Sequence, residues 1–348
     1  MRFPFSLSIA TGAHIARNLL AGRRRFSMVL MLEPLHACNL RCTGCGRIRE
    51  YPKTIGQTMT VEECLAAASQ CGAPIVSVCG GEPLLYKELP ELLDRLLDAG
   101  KHIYLCTNGQ ILEESIPKLL SVKSKRLKKR CYLNVHLDGP AKVHDQVVEK
   151  VGAFDRALAG IRAAKKSGFR LYTNTTVYAQ TTVDDLIDMA KTLSAENIDG
   201  LMISPAYGYE AVKAAGTSAE ALFMDRPRIE AFFREVRRRM GGYRLTATPM
   251  FFDFLTGQRK LSCAAWANPT RNVAGWRSPC YLIGDAHFST YRELLEKTDW
   301  EKIGPGRDER CRDCMTHCGF EPASVLAVKS PAQIVRVALW QLWSKRRA

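Results

Sequence analysis

Three cysteines lie close together in the stretch CNLRCTGCG, at residues 38–46. The spacing Cys38-x3-Cys42-x2-Cys45 places three thiols on one tight loop, directly after the apolar run MVLMLEP. A structural zinc site needs four ligands, and the nearest spare candidate, His36, precedes the loop. If three cysteines ligate a four-iron cluster, the fourth iron can bind a small molecule. That molecule can then accept an electron directly from the cluster. The spacing therefore leads to the hypothesis of an iron–sulfur cluster with one iron that has no protein ligand. A zinc site and disulfides are the alternatives.

The cysteine count bears on this choice. Thirteen cysteines is an odd number, and the 348-residue chain has no secretory signal pattern, since its N-terminal basic cluster follows the apolar part. These features predict a cytoplasmic protein in which clustered cysteines ligate metal and do not form disulfides.

The elements that must position the cysteine loop are predicted by apolar runs that alternate with helical patterns. Six runs are predicted as strands, at residues 28–33, 75–80, 102–107, 132–139, 170–177 and 200–205. Helices are predicted near 86–99, 111–120, 153–167 and 182–195, and capping motifs stand at 60–63 and 182–185. Six strand–helix units in series predict an α/β fold with a parallel sheet, curled into a partial (β/α)6 barrel. Ligands of such a barrel lie at the carboxyl ends of its strands.

Unusual residues follow the first four strands and are expected to meet on one rim. The cysteine loop follows the first strand, and the later strand ends carry Gly80-Gly81-Glu82-Pro83, then Cys106-Thr107-Asn108, then His136 with Asp138. His136 and Asp138 are candidates for binding a ribose or shaping the pocket. The alternative is a turn at residues 138–139, with His136 bonded to a neighbouring backbone group.

The pattern CxxxCxxC, followed about forty residues later by GGEP at the next strand end, resembles the radical S-adenosylmethionine (radical SAM) superfamily. The resemblance implies a [4Fe-4S] cluster on the three-cysteine loop, with S-adenosylmethionine on the open iron and its methionine amino group received by GGEP. Asn174 and Ser204 would help to line the cofactor pocket, with Asn108 as a further candidate, although a buried asparagine bonded to backbone explains Asn174 equally well. The superfamily often has an aromatic residue before the third cysteine, near the adenine, but Gly44 stands there. The adenine contacts must then come from elsewhere.

Longer segments resemble one family within the superfamily. LEPLHACNLRCTGCGRI, VHLDGPAKVHD, NPTRNVAGW and CRDCMTHCGFE look like the adenosylhopane synthases of bacterial hopanoid biosynthesis, and the similarity runs over about residues 10–330. That family's reaction adds a 5′-deoxyadenosyl radical to the terminal alkene of diploptene, a membrane triterpene. The resemblance thus implies a carbon–carbon bond-forming adenosyltransferase, served by an electron donor such as a flavodoxin or a ferredoxin.

Such an addition leaves a tertiary carbon radical that must gain a hydrogen atom. A thiol is a competent donor, because its S–H bond is weaker than the C–H bond that forms. Cys106, at the third strand end, is the predicted donor, and Cys79 is the second choice. The alternative is that Cys106 is a buried structural cysteine, which is common in strands.

Five more cysteines stand near the C-terminus. Cys263-x11-Gly275-x4-Cys280 matches the opening of the auxiliary-cluster domains found on many radical SAM enzymes, and Cys311-x2-Cys314-x3-Cys318 follows it. Five thiols can hold a second four-iron cluster with one left over, hold a zinc ion, or stay unligated. A second cluster is the favoured prediction.

These features predict four regions. They are a basic N-terminal arm at 1–25, the partial barrel at 26–210, a cysteine-rich domain at 211–329 and an amphipathic, basic tail helix at 330–348. The basic run KSKRLKKR, at 123–130, is predicted as an exposed insertion.

The net charge of +15, from 50 basic and 35 acidic residues, suits an anionic partner. No nucleic-acid motif accompanies the basic runs, so they are interpreted as contacts with an anionic membrane or as solvated faces, and no nucleic-acid partner is expected. In the tail, apolar residues recur at helical spacing beside Trp340 and Trp343 and before a basic end. This pattern predicts peripheral contact with the inner face of a membrane. A tail helix that docks on the protein's own core is the alternative.

Two competing functions stay open. A radical SAM enzyme that matures a peptide or protein is the first, because auxiliary-cluster domains often serve peptide-modifying enzymes. A basic, nucleic-acid-binding iron–sulfur or zinc protein is the second, but it leaves GGEP unexplained.

Overall fold

The computed structural model describes residues 2–214 and 221–342. Its described residues form a sheet of nine strands, in the order β6-β5-β4-β3-β2-β1-β7-β8-β9. The strands are β1 (Val29–Glu33), β2 (Ile75–Val78), β3 (His102–Thr107), β4 (Cys131–His136), β5 (Arg170–Val177), β6 (Gly200–Pro205), β7 (Thr270–Asn272), β8 (Gly275–Pro279) and β9 (Gly284–Phe288). Strands β1 to β6 pair in parallel in chain order. The six predicted strands and the α/β class are therefore confirmed.

Helices connect the parallel strands and cover the sheet. They are α1 (Phe5–Leu20), α2 (Arg47–Glu50), α3 (Val61–Cys71), α4 (Leu89–Asp98), α5 (Leu112–Leu120), α6 (Leu127–Arg130), α7 (Ala141–Val147), α8 (Ala153–Lys166), α9 (Val183–Ala195), α10 (Glu210–Lys213), α11 (Arg226–Arg239), α12 (Pro249–Leu255), α13 (Tyr291–Lys297), α14 (His317–Leu326) and α15 (Pro331–Leu342). Both predicted capping boxes form, Thr60 with Glu63 and Thr182 with Asp185. Each satisfies two backbone N–H groups that the first helical turn leaves unbonded.

The two faces of the parallel sheet differ in chemistry because side chains alternate along each strand. One face carries buried aliphatic residues, such as Leu30, Val76 and Leu105, which join the main core with the helices. We call the opposite face the lumen face. Polar residues predominate there toward the strand ends, whereas Tyr104, Tyr132 and Tyr172 lie further back and contact one another through their rings.

The cysteine-rich C-terminal region shares the sheet with the barrel strands. Strand β7 pairs in parallel with β1, and β7, β8 and β9 then run antiparallel. Asn272 accepts a hydrogen bond from the Ala274 N–H at 2.9 Å in the β7–β8 turn. Gly275 follows at φ 136°, a conformation that side chains disfavour. The sheet is therefore extended beyond β1 and does not close on itself there.

Two basic segments differ from the sequence-based expectation. The N-terminal arm contains the sixteen-residue helix α1, which was not predicted. The run KSKRLKKR is an exposed insertion only in part, because it includes helix α6 and buries Leu127. Lys128 lies over the Phe169 ring at 3.5 Å and donates a hydrogen bond to the Ser167 carbonyl, so the run also holds neighbouring loops in place.

A buried charge network connects the strand that precedes the cysteine loop to the β7–β8 hairpin. The Arg47 Nε lies 2.5 Å from a Glu33 carboxylate oxygen, and both side chains are almost completely buried. Arg47 also pairs with Glu50 at 2.9 Å, and Glu50 pairs with Arg277 of β8 at 3.0 Å. Arg47 donates a further hydrogen bond to the Tyr281 carbonyl at 3.1 Å. Removing one member of such a network leaves an uncompensated buried charge.

We expect Arg47→Met to lower the free energy of unfolding by about 3–5 kcal/mol, because Glu33 would then be a buried carboxylate without its cation. The double variant Glu33→Leu/Arg47→Met should be less destabilised than the single variant, since both charges are gone. Urea unfolding followed by circular dichroism measures the difference. Arg95→Met is the matched control, because Arg95 and Glu62 pair on the surface. A cost for Arg47→Met no larger than that of the control would contradict the analysis.

Candidate functional site

The three-cysteine loop follows β1, where the carboxyl ends of the parallel strands meet. Cys38, Cys42 and Cys45 are all partly buried and are not in disulfides. Burial raises the pKa of Cys38 to about 11, and nearby carboxylate and thiol groups add to the shift. Burial likewise raises the pKa of Cys42 well above its usual range, with Cys45, Asp138 and Cys38 as the charged neighbours. A bound cation would therefore favour ionisation of the Cys38 and Cys42 thiols.

The glycine pair of GGEP packs directly on the segment that leads into the cysteines. The Gly81 N–H donates to the Leu35 carbonyl at 3.0 Å, and the Glu82 N–H donates to the Ala37 carbonyl at 2.9 Å. A Cβ atom on Gly80 would collide with the Leu35 carbonyl, and one on Gly81 would collide with the Ala37 carbonyl. The glycines are therefore required for a backbone-to-backbone contact that fixes the start of the loop.

Glu82 is fully buried, and its carboxylate is hydrogen-bonded to neighbouring residues of the chain. Its two carboxylate oxygens accept hydrogen bonds from the Leu84 N–H at 3.0 Å, the Thr107 hydroxyl at 2.7 Å and the Asn108 N–H at 2.8 Å. Burial raises its pKa to about 7, although these three donors oppose the shift. Glu82 therefore joins the end of β2 to the end of β3. The adjacent Pro83 is also buried and begins a single 3-10 turn.

Two residues at the end of β3 lie where the sequence placed them. The Asn108 amide donates to Asn39 at 2.7 Å and lies 3.6 Å from the Cys38 sulfur, so it borders the cysteine loop. Cys106 is on the lumen face, where its sulfur lies 3.3 Å from the Ser77 hydroxyl and 3.6 Å from the Asn134 amide. Burial raises the pKa of the Cys106 thiol, and the two hydrogen-bond partners only partly offset this.

His136 and Asp138 form a pair at the end of β4. The His136 Nε2 lies 2.8 Å from an Asp138 oxygen, and 26% of the His136 side chain is exposed, whereas Asp138 is fully buried. Burial disfavours the charged imidazole, but Asp138 outweighs this effect and raises the pKa of His136. The other Asp138 oxygen accepts from the Thr176 N–H at 2.8 Å. Of the pair, only His136 has exposed surface, and the buried Asp138 fixes the orientation of its ring.

The remaining predicted pocket residues lie on β5 and β6. Asn174 pairs in register with His136 and is partly buried on the lumen face. The Ser204 hydroxyl accepts a hydrogen bond at 3.3 Å from the His317 N–H of α14. Ser204 therefore joins the barrel to the C-terminal cysteine region.

Tyr178 fills the space beside Gly44. A Cβ atom at position 44 would lie 2.5 Å from the Tyr178 hydroxyl oxygen, so any larger residue there would displace this ring. Tyr178 directly follows β5 and is buried. An aromatic ring thus lies next to the third cysteine, although it comes from a distant strand and no local pattern could have identified it. The turn residue Gly46 is covered by Tyr209 in the same way.

All five C-terminal cysteines line one cavity. The cavity is bounded by Cys263, Cys280, Cys311, Cys314 and Cys318, together with residues such as Tyr207, Gly304 and Phe320. Burial raises the pKa of Cys280 to about 11 and that of Cys311 to about 12. A side chain at position 319 would collide with the Cys263 sulfur, because a Cβ atom on Gly319 would lie only 2.5 Å from it. The structure thus brings the five cysteines to one cavity, and their ligation of a second cluster stays a prediction.

Both groups of thiols fit iron–sulfur clusters on chemical grounds. Each group is desolvated, and a bound metal centre deprotonates its thiol ligands. Among residues 2–214 and 221–342, no three His, Cys, Asp or Glu side chains are arranged to ligate a single metal ion. Cluster thiolates bind different irons, so their sulfur atoms need not converge on one point. His36, the spare zinc-ligand candidate, instead stacks on Tyr51 at 4.1 Å and bonds Thr54 at 3.0 Å.

Comparison with protein families divides the chain in two. Residues 32–193 match the radical SAM superfamily. Residues 201–337 match a domain of unknown function, DUF3463. The first match covers β1 to α9 with the three-cysteine loop, and the second covers the five-cysteine cavity.

Individual proteins are similar over different parts of the chain. An AdoMet-dependent heme synthase of Methanosarcina barkeri is 29% identical over 228 residues, which are 64% of this chain and 62% of that protein. A PqqA peptide cyclase of Granulibacter bethesdensis is 25% identical over 313 residues, 82% of this chain and 79% of that protein. Streptococcus suis SuiB bound to the precursor peptide SuiA has the same fold, with a TM-score of 0.61, 14% identity, and coverage of 87% of this chain and 73% of that one. The chain thus spans less than two thirds of the heme synthase.

We expect anaerobically reconstituted protein to bind two four-iron clusters, about eight irons per chain. The triple variant Cys38→Ala/Cys42→Ala/Cys45→Ala should lose about half of this iron and keep the C-terminal centre. Iron and zinc analysis by mass spectrometry, with the optical spectrum, measures the outcome. Cys131→Ala is the matched control, because Cys131 is buried on β4 away from both groups. Zinc in place of iron in the triple variant would contradict a second cluster.

Proposed function

We propose that this chain, a radical SAM enzyme, adds the 5′-deoxyadenosyl group of S-adenosylmethionine to the terminal alkene of a membrane triterpene such as diploptene. The product contains a new carbon–carbon bond. A cluster held by Cys38, Cys42 and Cys45 would supply the electron that splits S-adenosylmethionine into methionine and the 5′-deoxyadenosyl radical. S-adenosylmethionine is consumed in this reaction, so it is a substrate.

The observation that carries the proposal is the position of the Cys106 thiol on the lumen face, with its sulfur 3.3 Å from the Ser77 hydroxyl. Cys106 lies at the carboxyl end of β3, one strand from GGEP and next to Asn108 at the cysteine loop. Its raised pKa keeps the hydrogen on sulfur at neutral pH. Ser77 and Asn134, its polar neighbours, are uncharged and do not remove that hydrogen. A thiol in this state is what a radical addition requires, because the adduct radical must be reduced inside the pocket.

The steps balance when Cys106 supplies one hydrogen atom. The adenosyl radical forms a bond to the terminal alkene carbon and leaves an unpaired electron on the tertiary carbon. Cys106 then transfers its hydrogen to that carbon and becomes a thiyl radical. One further electron, from a flavodoxin- or ferredoxin-type donor, and one proton restore the thiol. Two electrons and one proton are consumed for each adduct.

Other residues have supporting roles in the proposal. His136 is partly exposed at the end of β4 and can donate to a ribose oxygen, with its orientation set by Asp138. Tyr178 can pack on the adenine from its place beside Gly44. The family-specific segments NPTRNVAGW and CRDCMTHCGFE lie in the region that forms the five-cysteine cavity. For that cavity, we propose a second cluster.

A peptide-modifying radical SAM enzyme is the second candidate, and the named relatives favour it. The PqqA peptide cyclase is similar to this chain over most of its length, and the SuiB structure contains a bound precursor peptide. None of the proteins named above is an adenosylhopane synthase. The triterpene substrate therefore rests on the sequence segments and on Cys106, and it needs a direct test against the peptide candidate.

We expect Cys106→Ala to continue to consume S-adenosylmethionine but to form the reduced adduct at least about tenfold more slowly, a loss worth 1.4 kcal/mol in the barrier. In D2O the wild-type thiol exchanges its hydrogen, so the wild-type adduct should gain one deuterium at the quenched carbon. Mass spectrometry measures both results.

Two variants serve as controls for Cys106. Cys79→Ala removes the second-choice thiol, which is also on the lumen face, and Cys131→Ala removes a buried strand thiol on the opposite face. Adduct formed by Cys106→Ala at the wild-type rate would exclude this residue as the hydrogen-atom donor.

The substrate class is tested with S-adenosylmethionine deuterated at the 5′ carbon. Anaerobic incubation with reductant and diploptene should yield an adenosyl–triterpene adduct that retains both deuterium atoms. Formation of 5′-deoxyadenosine alone, with no adduct, would contradict the proposed addition. A peptide substrate would instead give 5′-deoxyadenosine that has gained a hydrogen atom from the peptide.

A further inference from the structure

Exposed large apolar side chains are concentrated on two helices. Of the twelve such side chains among the described residues, eight lie on α1 and α15. They are Phe5, Ile9, Leu19, Leu20, Ile334, Val335, Leu339 and Leu342. Single apolar residues scattered over a surface need no explanation, but a concentration of this kind marks an interaction site.

On α1 the exposed apolar residues form one stripe. Phe5, Ile9, Ala16 and Leu20 are exposed and recur at intervals of four and seven residues, which places them on one side of a helix. Leu7 and Asn18, on the opposite side, are the buried residues of this helix. Helix α1 therefore packs on the protein through one face and leaves an apolar face uncovered.

Helix α15 has a second stripe of the same kind. Ile334, Val335, Ala338, Leu339 and Leu342 are exposed and share one side of the helix, and none of its residues is buried. The contacts of α15 with the rest of the protein are made by Arg336, which pairs with Asp253, and by Trp340 and Gln341. Within residues 331–342 the apolar stripe is exposed and does not dock on the protein's own core, whereas Trp343 and the basic end of the predicted tail helix lie outside the described residues.

The two helices are joined where α1 begins and α15 ends. The Arg2 N–H donates to the Gln341 carbonyl at 3.0 Å, and the Gln341 amide donates to the Phe3 carbonyl at 2.6 Å. The rings of Phe3 and Trp340 lie 5.9 Å apart. Both stripes thus belong to one terminal assembly, although they come from opposite ends of the chain.

The two terminal segments of the sequence carry only positive charges, of which Arg25 pairs with Glu301 and Arg336 with Asp253. Residues 1–32 and residues 322–348 contain no aspartate or glutamate, and each segment contains five lysines and arginines. These ten positive charges are two thirds of the net charge of +15. Arg17, Arg23 and Arg24 are exposed at the end of α1, next to Leu19 and Leu20.

We propose that α1 and α15 dock the protein on an anionic lipid bilayer, with the apolar stripes among the acyl chains and the arginines at the phosphates. Helices with an apolar face and a basic border bind membranes in this way. No helix among the described residues is long and apolar enough to cross the bilayer. The docking does not depend on the alkene reaction, and it is measured without S-adenosylmethionine or a triterpene.

The test is flotation of the full chain with vesicles of phosphatidylcholine containing phosphatidylglycerol, and with vesicles of phosphatidylcholine alone. The protein should bind the anionic vesicles and be released by salt. Ile9→Gln/Leu339→Gln should weaken the partition coefficient at least about tenfold, because both side chains are expected to enter the acyl region. Arg23→Gln and Arg24→Gln should each weaken it about fivefold.

Two exposed positions elsewhere serve as controls. Val151→Gln changes a side chain that is 95% exposed, and Lys125→Gln removes a positive charge from the run at 123–130, so neither should alter binding. Binding of Ile9→Gln/Leu339→Gln equal to that of wild type would overturn the proposal. So would a stripe-dependent dimer, seen by light scattering, in protein that does not bind vesicles. Circular dichroism confirms that the variants are folded.

Discussion

The structure depends on a buried ion pair between Glu33 and Arg47. Glu33 ends β1, and Arg47 begins the short helix after the three cysteines, so the pair closes the cysteine loop at its base. A fully buried pair of this kind is tolerated only if the remaining donors and acceptors are satisfied. Here Glu50, Arg277 and the Tyr281 carbonyl satisfy them, and they bring the β7–β8 hairpin into contact with the loop. The geometry of the first cysteine group is thereby coupled to the region that contains the second.

On its other side the segment leading into the cysteine loop packs on the backbone of GGEP. GGEP packs its glycines on the carbonyls of residues 35 and 37, and Glu82 uses its carboxylate to tie β2 to β3. Three strand ends are therefore held in fixed register around the thiols. A site that must present an open coordination position needs such support, because freely moving thiols would close around the metal.

Much of this arrangement was predictable from the sequence, because local patterns carry it. The six parallel strands, both capping boxes and the grouping of the C-terminal cysteines were indicated by periodicity and spacing. The contact of Tyr178 with Gly44 and the pairing of β7 with β1 were not, since each joins residues far apart in the chain. Helix α1 was missed for another reason. Its apolar stripe is exposed and does not pack on the core, and the segment was therefore interpreted as a basic arm without a helix.

Two kinds of radical chemistry place different demands on the lumen. When an adenosyl radical abstracts hydrogen, the substrate supplies the atom and no donor thiol is needed. When it adds to a double bond, the unpaired electron stays on the product, and a protonated group nearby must quench it. In the addition that we propose, Cys106 would meet the second demand. The membrane proposal agrees with the same chemistry, because Phe3 and Leu7, at the start of α1, pack on the lumen tyrosines 104, 132 and 172. Helix α1, which the membrane proposal places at the lipid, therefore contacts the tyrosine layer of the lumen face directly.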